Sequence, residues 1–186
     1  PLLSPAAIAQ PPAFDRARAA ALHEGDARGF VTRLKYADRL DLARPMGRLM
    51  ASAGVEVLAG ASMLVPVPLH WTRRLRRRFN QSAALAEEIG RHSGVPVALD
   101  VLRRAKRTPP QVGLSRARRI ANLQGAFVVP AAARPRVEAA RIVLIDDVHT
   151  TGATLNACAR VLRRAGAAQI DVITFTKVAD GPGNPI

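Results

Sequence analysis

The sequence predicts an α/β fold, a parallel sheet flanked by helices, on three observations. Apolar strand-like runs alternate with segments of helical periodicity from residue 62 to residue 180. Ile142-Val143-Leu144-Ile145 is an unbroken aliphatic run, as a strand buried on both faces requires. Directly after it, Leu155, Cys158, Val161, Leu162 and Ala165 recur at helical spacing, and Gly166 supplies a stop. Between that strand and that helix lies Asp146-Asp147-Val148-His149-Thr150-Thr151-Gly152-Ala153-Thr154.

The elements follow in order. Residues 1–12 hold four of the fourteen prolines and read as an extended lead-in. Phe14, Ala17 and Ala21 lie at helical spacing and predict a short helix that ends near Gly25. A second helix is expected over residues 30–36. A third uses Leu40, Ala43, Leu49, Met50 and Ala53, with Pro45 in its first turn. No strand signal stands out before residue 62, so residues 1–61 are expected to form a small helical piece beside the sheet. Residues 62–180 form the core in this reading, and residues 181–186 a tail.

Met63-Leu64-Val65-Pro66-Val67-Pro68-Leu69-His70 reads as a strand whose pairing fades at its prolines, which have no N–H to give. A helix starts at Asn80 or Ser82, carries Leu85 and Ile89, and closes near Gly94. Residues 95–102 predict a strand. Thr108-Pro109-Pro110 breaks the chain, and the segment to residue 122 is basic and weakly periodic. Phe127-Val128-Val129 is a short strand, and residues 170–176 the last one.

Composition narrows the function classes. With 186 residues the chain can bury a real core. Mean hydropathy is near zero, and no apolar run approaches the roughly 18–20 residues of a membrane span. A cytoplasmic location is expected. Cys158 is the one cysteine, so an internal disulfide and a cysteine zinc site are both excluded. It falls on the apolar stripe of its helix, which points to packing. Twenty-eight Lys and Arg against fourteen Asp and Glu give a net charge of +14, and only three of the cations are lysines. Arginines cluster at residues 73–78 and, with Lys106, at 103–119. Guanidinium forks pair bidentately with phosphate, so these clusters suit a pyrophosphate or a nucleic-acid backbone.

The acidic pair and the loop define a candidate site. Backbone N–H groups at a helix start favour a phosphate, and Gly152 lets the backbone come close to it. Thr150, Thr151 and Thr154 add hydroxyl donors. Asp146 and Asp147 suit vicinal hydroxyls or a hard cation. A ribose 5-phosphate has both ends of that layout.

The thirteen residues from Ile142 to Thr154 resemble the phosphoribosyl-pyrophosphate signature of type I phosphoribosyltransferases. His149 stands where that signature usually has an aliphatic residue, at what reads as an exposed loop position. Leu34-Lys35-Tyr36, Val65-Pro66-Val67-Pro68-Leu69 and Phe79-Asn80-Gln81 further resemble the ComF family of phosphoribosyltransferase-like proteins. Its spaced pattern continues in Arg104, Thr108, Gln111, Leu114, Arg119, Asn122, Gly125, Ala126 and Phe127. Arg78 replaces the glycine that members commonly carry before Phe-Asn-Gln, and the four-cysteine zinc module of many members has no counterpart here.

The resemblance implies a type I phosphoribosyltransferase-like core with a helical N-terminal hood. Asp146 and Asp147 would hold the ribose hydroxyls, directly or through Mg2+. Thr150, Thr151, Gly152, Ala153 and Thr154 would cradle the 5-phosphate. Leu69, His70 and Arg73 would face the pyrophosphate, and a flexible loop with Arg104, Thr108, Gln111 and Arg119 would close over it. Asn80 and His149 are further candidates. The implied function is binding of phosphoribosyl pyrophosphate with Mg2+ and transfer of the phosphoribosyl group to an unidentified acceptor, with release of pyrophosphate. The alternative is a non-catalytic sensor of that ligand, or a competence protein associated with single-stranded DNA. An aromatic content of 4% weighs against a dedicated base-stacking platform. No motif specifies the acceptor or the oligomeric state.

Overall fold

The computed structural model describes residues 11–36, 39–69, 79–105 and 123–179. Its frame is a four-stranded parallel sheet, built from β1 (Arg16–Leu22), β2 (Met63–Pro66), β5 (Arg141–His149) and β6 (Gln169–Lys177). Their order across the sheet is β1-β6-β5-β2. A separate two-stranded antiparallel ribbon joins β3 (Arg103–Arg104) to β4 (Phe127–Val128). The helices are α1 (Gly25–Tyr36), α2 (Ala43–Ala53), α3 (Val55–Leu58), α4 (Gln81–Ser93), α5 (Arg134–Val137) and α6 (Ala153–Arg164).

β5 is central because its aliphatic run serves both faces. Ile142 and Leu144 pack with Leu155, Cys158 and Leu162 of α6. Val143 and Ile145 pack with Met46 and Met50 of α2 and Leu85 and Ile89 of α4. Each such side chain, fully buried, contributes about 1.5–3 kcal/mol. Cys158 is one of them, and burial pushes its thiol pKa up, in keeping with a packing role.

α4 begins and ends as its residues dictate. The Asn80 side chain accepts from the Ser82 N–H at 3.1 Å, and Gly94 closes the helix at φ +74°. α2 lies on α4 at Gly47, where a Cβ would overlap the Cβ of buried Glu88. Gly47→Ala should therefore force the two helices apart and cost about 1–3 kcal/mol, as overpacking does. Chemical denaturation measures it, and a loss below a few tenths would mean the seam is loose.

Three expectations are corrected. Residues 16–22 form a strand, not part of a helix. Alanine and arginine favour helix locally, but β6 offers a full parallel edge from Arg16↔Asp171 to Leu22↔Lys177. Arg16 also closes on buried Asp171 at 2.6 Å, and that hydrogen bond raises the guanidinium pKa. Residues 95–102 make one bridge, Leu64↔Val97, rather than a strand. Pro96 has no N–H, so only its carbonyl can pair, accepting from the Leu64 N–H at 2.9 Å. Leu49, assigned to the apolar stripe of α2, is 56% exposed, and Met46 takes its place inside. β2 does end at Pro66, and of the stripe expected on α6 Leu155, Cys158 and Leu162 are buried while Val161 and Ala165 are half-buried. Among the described residues, no helix is long and apolar enough to cross a membrane.

Candidate functional site

The acidic pair lies inside β5, not in the loop after it. Pairing with β6 continues through Asp146↔Thr174 and Val148↔Thr176 to His149↔Lys177. β6 supplies backbone partners that far, so the ladder runs on past the aliphatic residues. The two carboxylates thus sit on a fixed backbone at the C-terminal edge of the sheet, where ligands bind in open α/β folds.

Each carboxylate has its own partners. Asp146 Oδ1 accepts from Ser82 Oγ at 2.9 Å and from the Asp147 N–H at 3.0 Å. Asn80 fixes Ser82 through the cap, and its own Nδ2 donates to the Val67 carbonyl at 3.3 Å. Asp147 Oδ1 lies 3.0 Å from Lys35 Nζ, which reaches down from α1. Surrounding protein atoms push the Asp146 pKa up to about 7, and the Asp147 charge adds to the rise. Lys35 and Ser82 oppose it. A carboxyl in that state gains from any cation placed beside it.

Beyond β5 the chain turns through exposed Thr150 and half-buried Thr151 to Gly152, at φ +68°. A Cβ at that position would lie 2.8 Å from His149 Nε2, so both backbone and space favour glycine. Asn156 ties the turn down. Its Nδ2 donates to the Gly152 carbonyl at 3.0 Å, and its Oδ1 accepts from the Ala13 N–H at 2.7 Å. The N-cap residue Gly152 has no side chain to cap α6, so among the described residues the N–H groups of its first turn are open to an anion. Ala153 and Thr154, expected in the loop, are the first residues of that turn.

The expected exposure of His149 is corrected. It is buried, with its ring edge-on to Phe14 at 6.0 Å, because β5 carries it into the layer under the turn. Leu69 is half-buried beyond the end of β2. Arg104, assigned to the flexible loop, is in β3, with its guanidinium over the Phe127 ring at 5.2 Å. His70, Arg73, Thr108, Gln111 and Arg119 lie outside the described residues.

Sequence reasoning missed Lys35, Ser82 and His23 as site residues. The first sits in Leu34-Lys35-Tyr36, a motif that by itself assigns the lysine no role. His23 follows β1, and its Nδ1 lies 2.8 Å from Thr176 Oγ1. Its pKa is lowered, first by burial and then by the charges of Lys35 and Arg28, against the pull of Asp147. No local pattern announces it, since only the pairing of β1 with β6 brings it there.

Among the described residues, no group of three or more His, Cys, Asp or Glu side chains is placed to hold a metal. Two adjacent carboxylates fit a hard cation that takes its other ligands from water and substrate phosphates, as magnesium does.

Comparison with known proteins gives a consistent result. Residues 79–185 match the phosphoribosyl transferase domain family. The chain is 33% identical over 147 residues to Competence protein F of Haemophilus influenzae, covering 76% of this chain and 64% of that protein's length. It is 29% identical over 170 residues to DNA utilization protein YhgH of Escherichia coli K12, covering 89% of this chain and 73% of the relative. In three dimensions it is similar to the allosteric regulatory enzyme of purine biosynthesis. The TM-score is 0.52 at 21% identity, over 77% of this chain and 30% of that one, and it establishes a shared fold. On its sequence match and its parallel sheet, the chain belongs to the phosphoribosyl transferase domain family, as a ComF-family phosphoribosyltransferase-like protein.

Proposed function

We propose that the protein binds phosphoribosyl pyrophosphate with magnesium at the C-terminal edge of β5 and transfers the phosphoribosyl group to an acceptor. The observation that carries this reading is the pairing of two strand-held carboxylates, one with its pKa raised to about 7, with an uncapped helix start one short turn away. The turn and the first N–H groups of α6 take the 5-phosphate. Asp146 and Asp147 hold the ribose hydroxyls and the cation. Magnesium supplies charge neutralisation for the departing pyrophosphate. Loss of pyrophosphate builds positive charge at the anomeric carbon, and the two carboxylates stabilise it electrostatically. Lys35 balances Asp147 in the meantime, and α1 serves as part of the hood. His70 and Arg73 are assigned to the pyrophosphate, and Thr108, Gln111 and Arg119 to a closing loop, on the family resemblance alone. A cytoplasmic location suits this chemistry.

Pyrophosphate release from phosphoribosyl pyrophosphate, measured across a panel of acceptors with and without magnesium, tests the reading. Release is expected with at least one acceptor, only with magnesium, and should fall at least tenfold in Gly152→Ala. That variant strains a left-handed turn by roughly 1–2 kcal/mol and crowds the phosphate loop. Failure of phosphoribosyl pyrophosphate to bind at all would end it. Binding without release would favour a sensor instead. The relatives' competence and DNA-utilization names and the +14 charge support that second reading, with single-stranded DNA as the partner.

A further inference from the structure

α6 starts at the turn after β5, and its far half borders a cavity. Seven and eleven residues beyond Ala153, about 10 and about 16 Å along the axis, Arg160 and Arg164 flank a space of about 410 Å³. Leu123, Phe127, Ala157 and Val161 give it an apolar wall, and Gln124 and Gly125 form its rim. This volume is in the range of small-molecule sites.

The charges along this stretch of helix are not all alike. Arg163 is held by Asp15 at 2.7 Å and by the Ala168 carbonyl at 2.9 Å. Arg160 and Arg164 enter none of the ion pairs among the described residues. They stand one turn apart on the same face, with Cβ atoms about 5–6 Å from each other, so one phosphate can accept from both guanidiniums. Arginines near a helix C-terminus gain from the macrodipole wherever they point. That gain does not account for a cavity with one apolar wall between the helix and the turn before β4. Gly125, at φ +64°, and Phe127 belong to the spaced pattern noted in the sequence, and the proposed reaction gives them no role.

We infer that this cavity is a second ligand site, for a small phosphorylated molecule with a planar or apolar body, of the nucleoside mono- or diphosphate class. The phosphate lies on Arg160 and Arg164, and the body lies against Phe127, Leu123 and Val161. The site is independent of the phosphoribosyl-pyrophosphate reading and stands or falls separately.

The test is a titration of the methyl-labelled protein with ADP, in a chelator so that no magnesium is present, followed by NMR. Saturable shifts of the Leu123 and Val161 methyl groups are expected, with adenosine alone and phosphate alone each at least tenfold weaker. The R160Q/R164Q double variant should weaken ADP about tenfold or more while melting like the parent. Gly152→Ala, altered at the phosphate turn, should leave the ADP response in place. Shifts confined to the Val148 and Thr151 methyl groups at the other site, or an unchanged affinity in the double variant, would overturn the proposal. So would phosphate alone binding as well as ADP. Tighter binding of a single-stranded oligonucleotide than of ADP through the same two arginines would replace the cavity with a backbone track.

Discussion

Asp147→Asn should weaken magnesium-dependent binding of phosphoribosyl pyrophosphate by at least about 100-fold. The carboxylate loses its charge where the proposed function places the cation and the ribose hydroxyls, and charge-assisted contacts of this kind contribute about 1.5–3 kcal/mol each. The variant also disturbs the fold locally. Lys35 Nζ, 3.0 Å away, loses its counter-charge, and the two side chains are only 22% and 12% exposed. Breaking a fully buried pair costs about 3–5 kcal/mol, and solvent access at this site reduces that to about 1–2. Lys35→Met combined with Asp147→Asn should therefore recover stability without recovering affinity. Calorimetric titration and thermal melting of both variants read the two effects separately. If the double variant bound the magnesium complex as tightly as the parent, Asp147 would have no part in the site.

Replacing the neighbouring carboxylate should have the opposite effect on stability. Asp146→Asn is expected to stabilise the ligand-free protein by about 2–3 kcal/mol at pH 8 while abolishing magnesium-dependent binding. Asp146 titrates near 3.8 in the unfolded chain and at about 7 in the folded one. Between those values the folded state holds a proton that the unfolded state has released. Stability is therefore full below pH 3.8 and is lost as pH rises through about 7. A rise of that size sets an upper limit of about 4 kcal/mol, which solvent near the half-buried carboxylate reduces. Asparagine keeps the acceptor for Ser82 Oγ and carries no charge, so it is spared the loss. Denaturation midpoints at pH 5 and pH 8 check this. The parent should lose stability across that interval and the variant should keep it. Equal slopes would mean that Asp146 is an ordinary exposed carboxylate. With the raised pKa, the proposed binding of magnesium should release a proton near pH 7, so affinity should rise with pH through that value.

These two effects locate the conflict at the site. A core strand normally ends where its apolar run ends, yet β5 continues along the ladder through two acids to His149. Their mutual repulsion is tolerated in the folded chain, as expected where function works against stability.

The sequence by itself determined the centre of this protein. The aliphatic run of β5, the Asp-Asp pair, the Thr/Gly turn and the buried stripe of α6 are local patterns, and each reports its own structure through periodicity or backbone freedom. The start near Asn80 or Ser82 and the stop at Gly94 were legible for the same reason, and the structure puts the cap on Asn80. Tertiary structure decided what depends on a distant partner. Residues 16–22 resemble a helix until β6 offers them an edge, and residues 95–102 resemble a strand until Pro96 limits them to one bridge. Burial of His149 required β5 to run on beside β6. Lys35 meets Asp147, and Ser82 meets Asp146, only because α1 and α4 both come to the C-terminal edge of the sheet. Those contacts set the charge state of the pair, and a charge state depends on what surrounds a residue in space rather than along the chain.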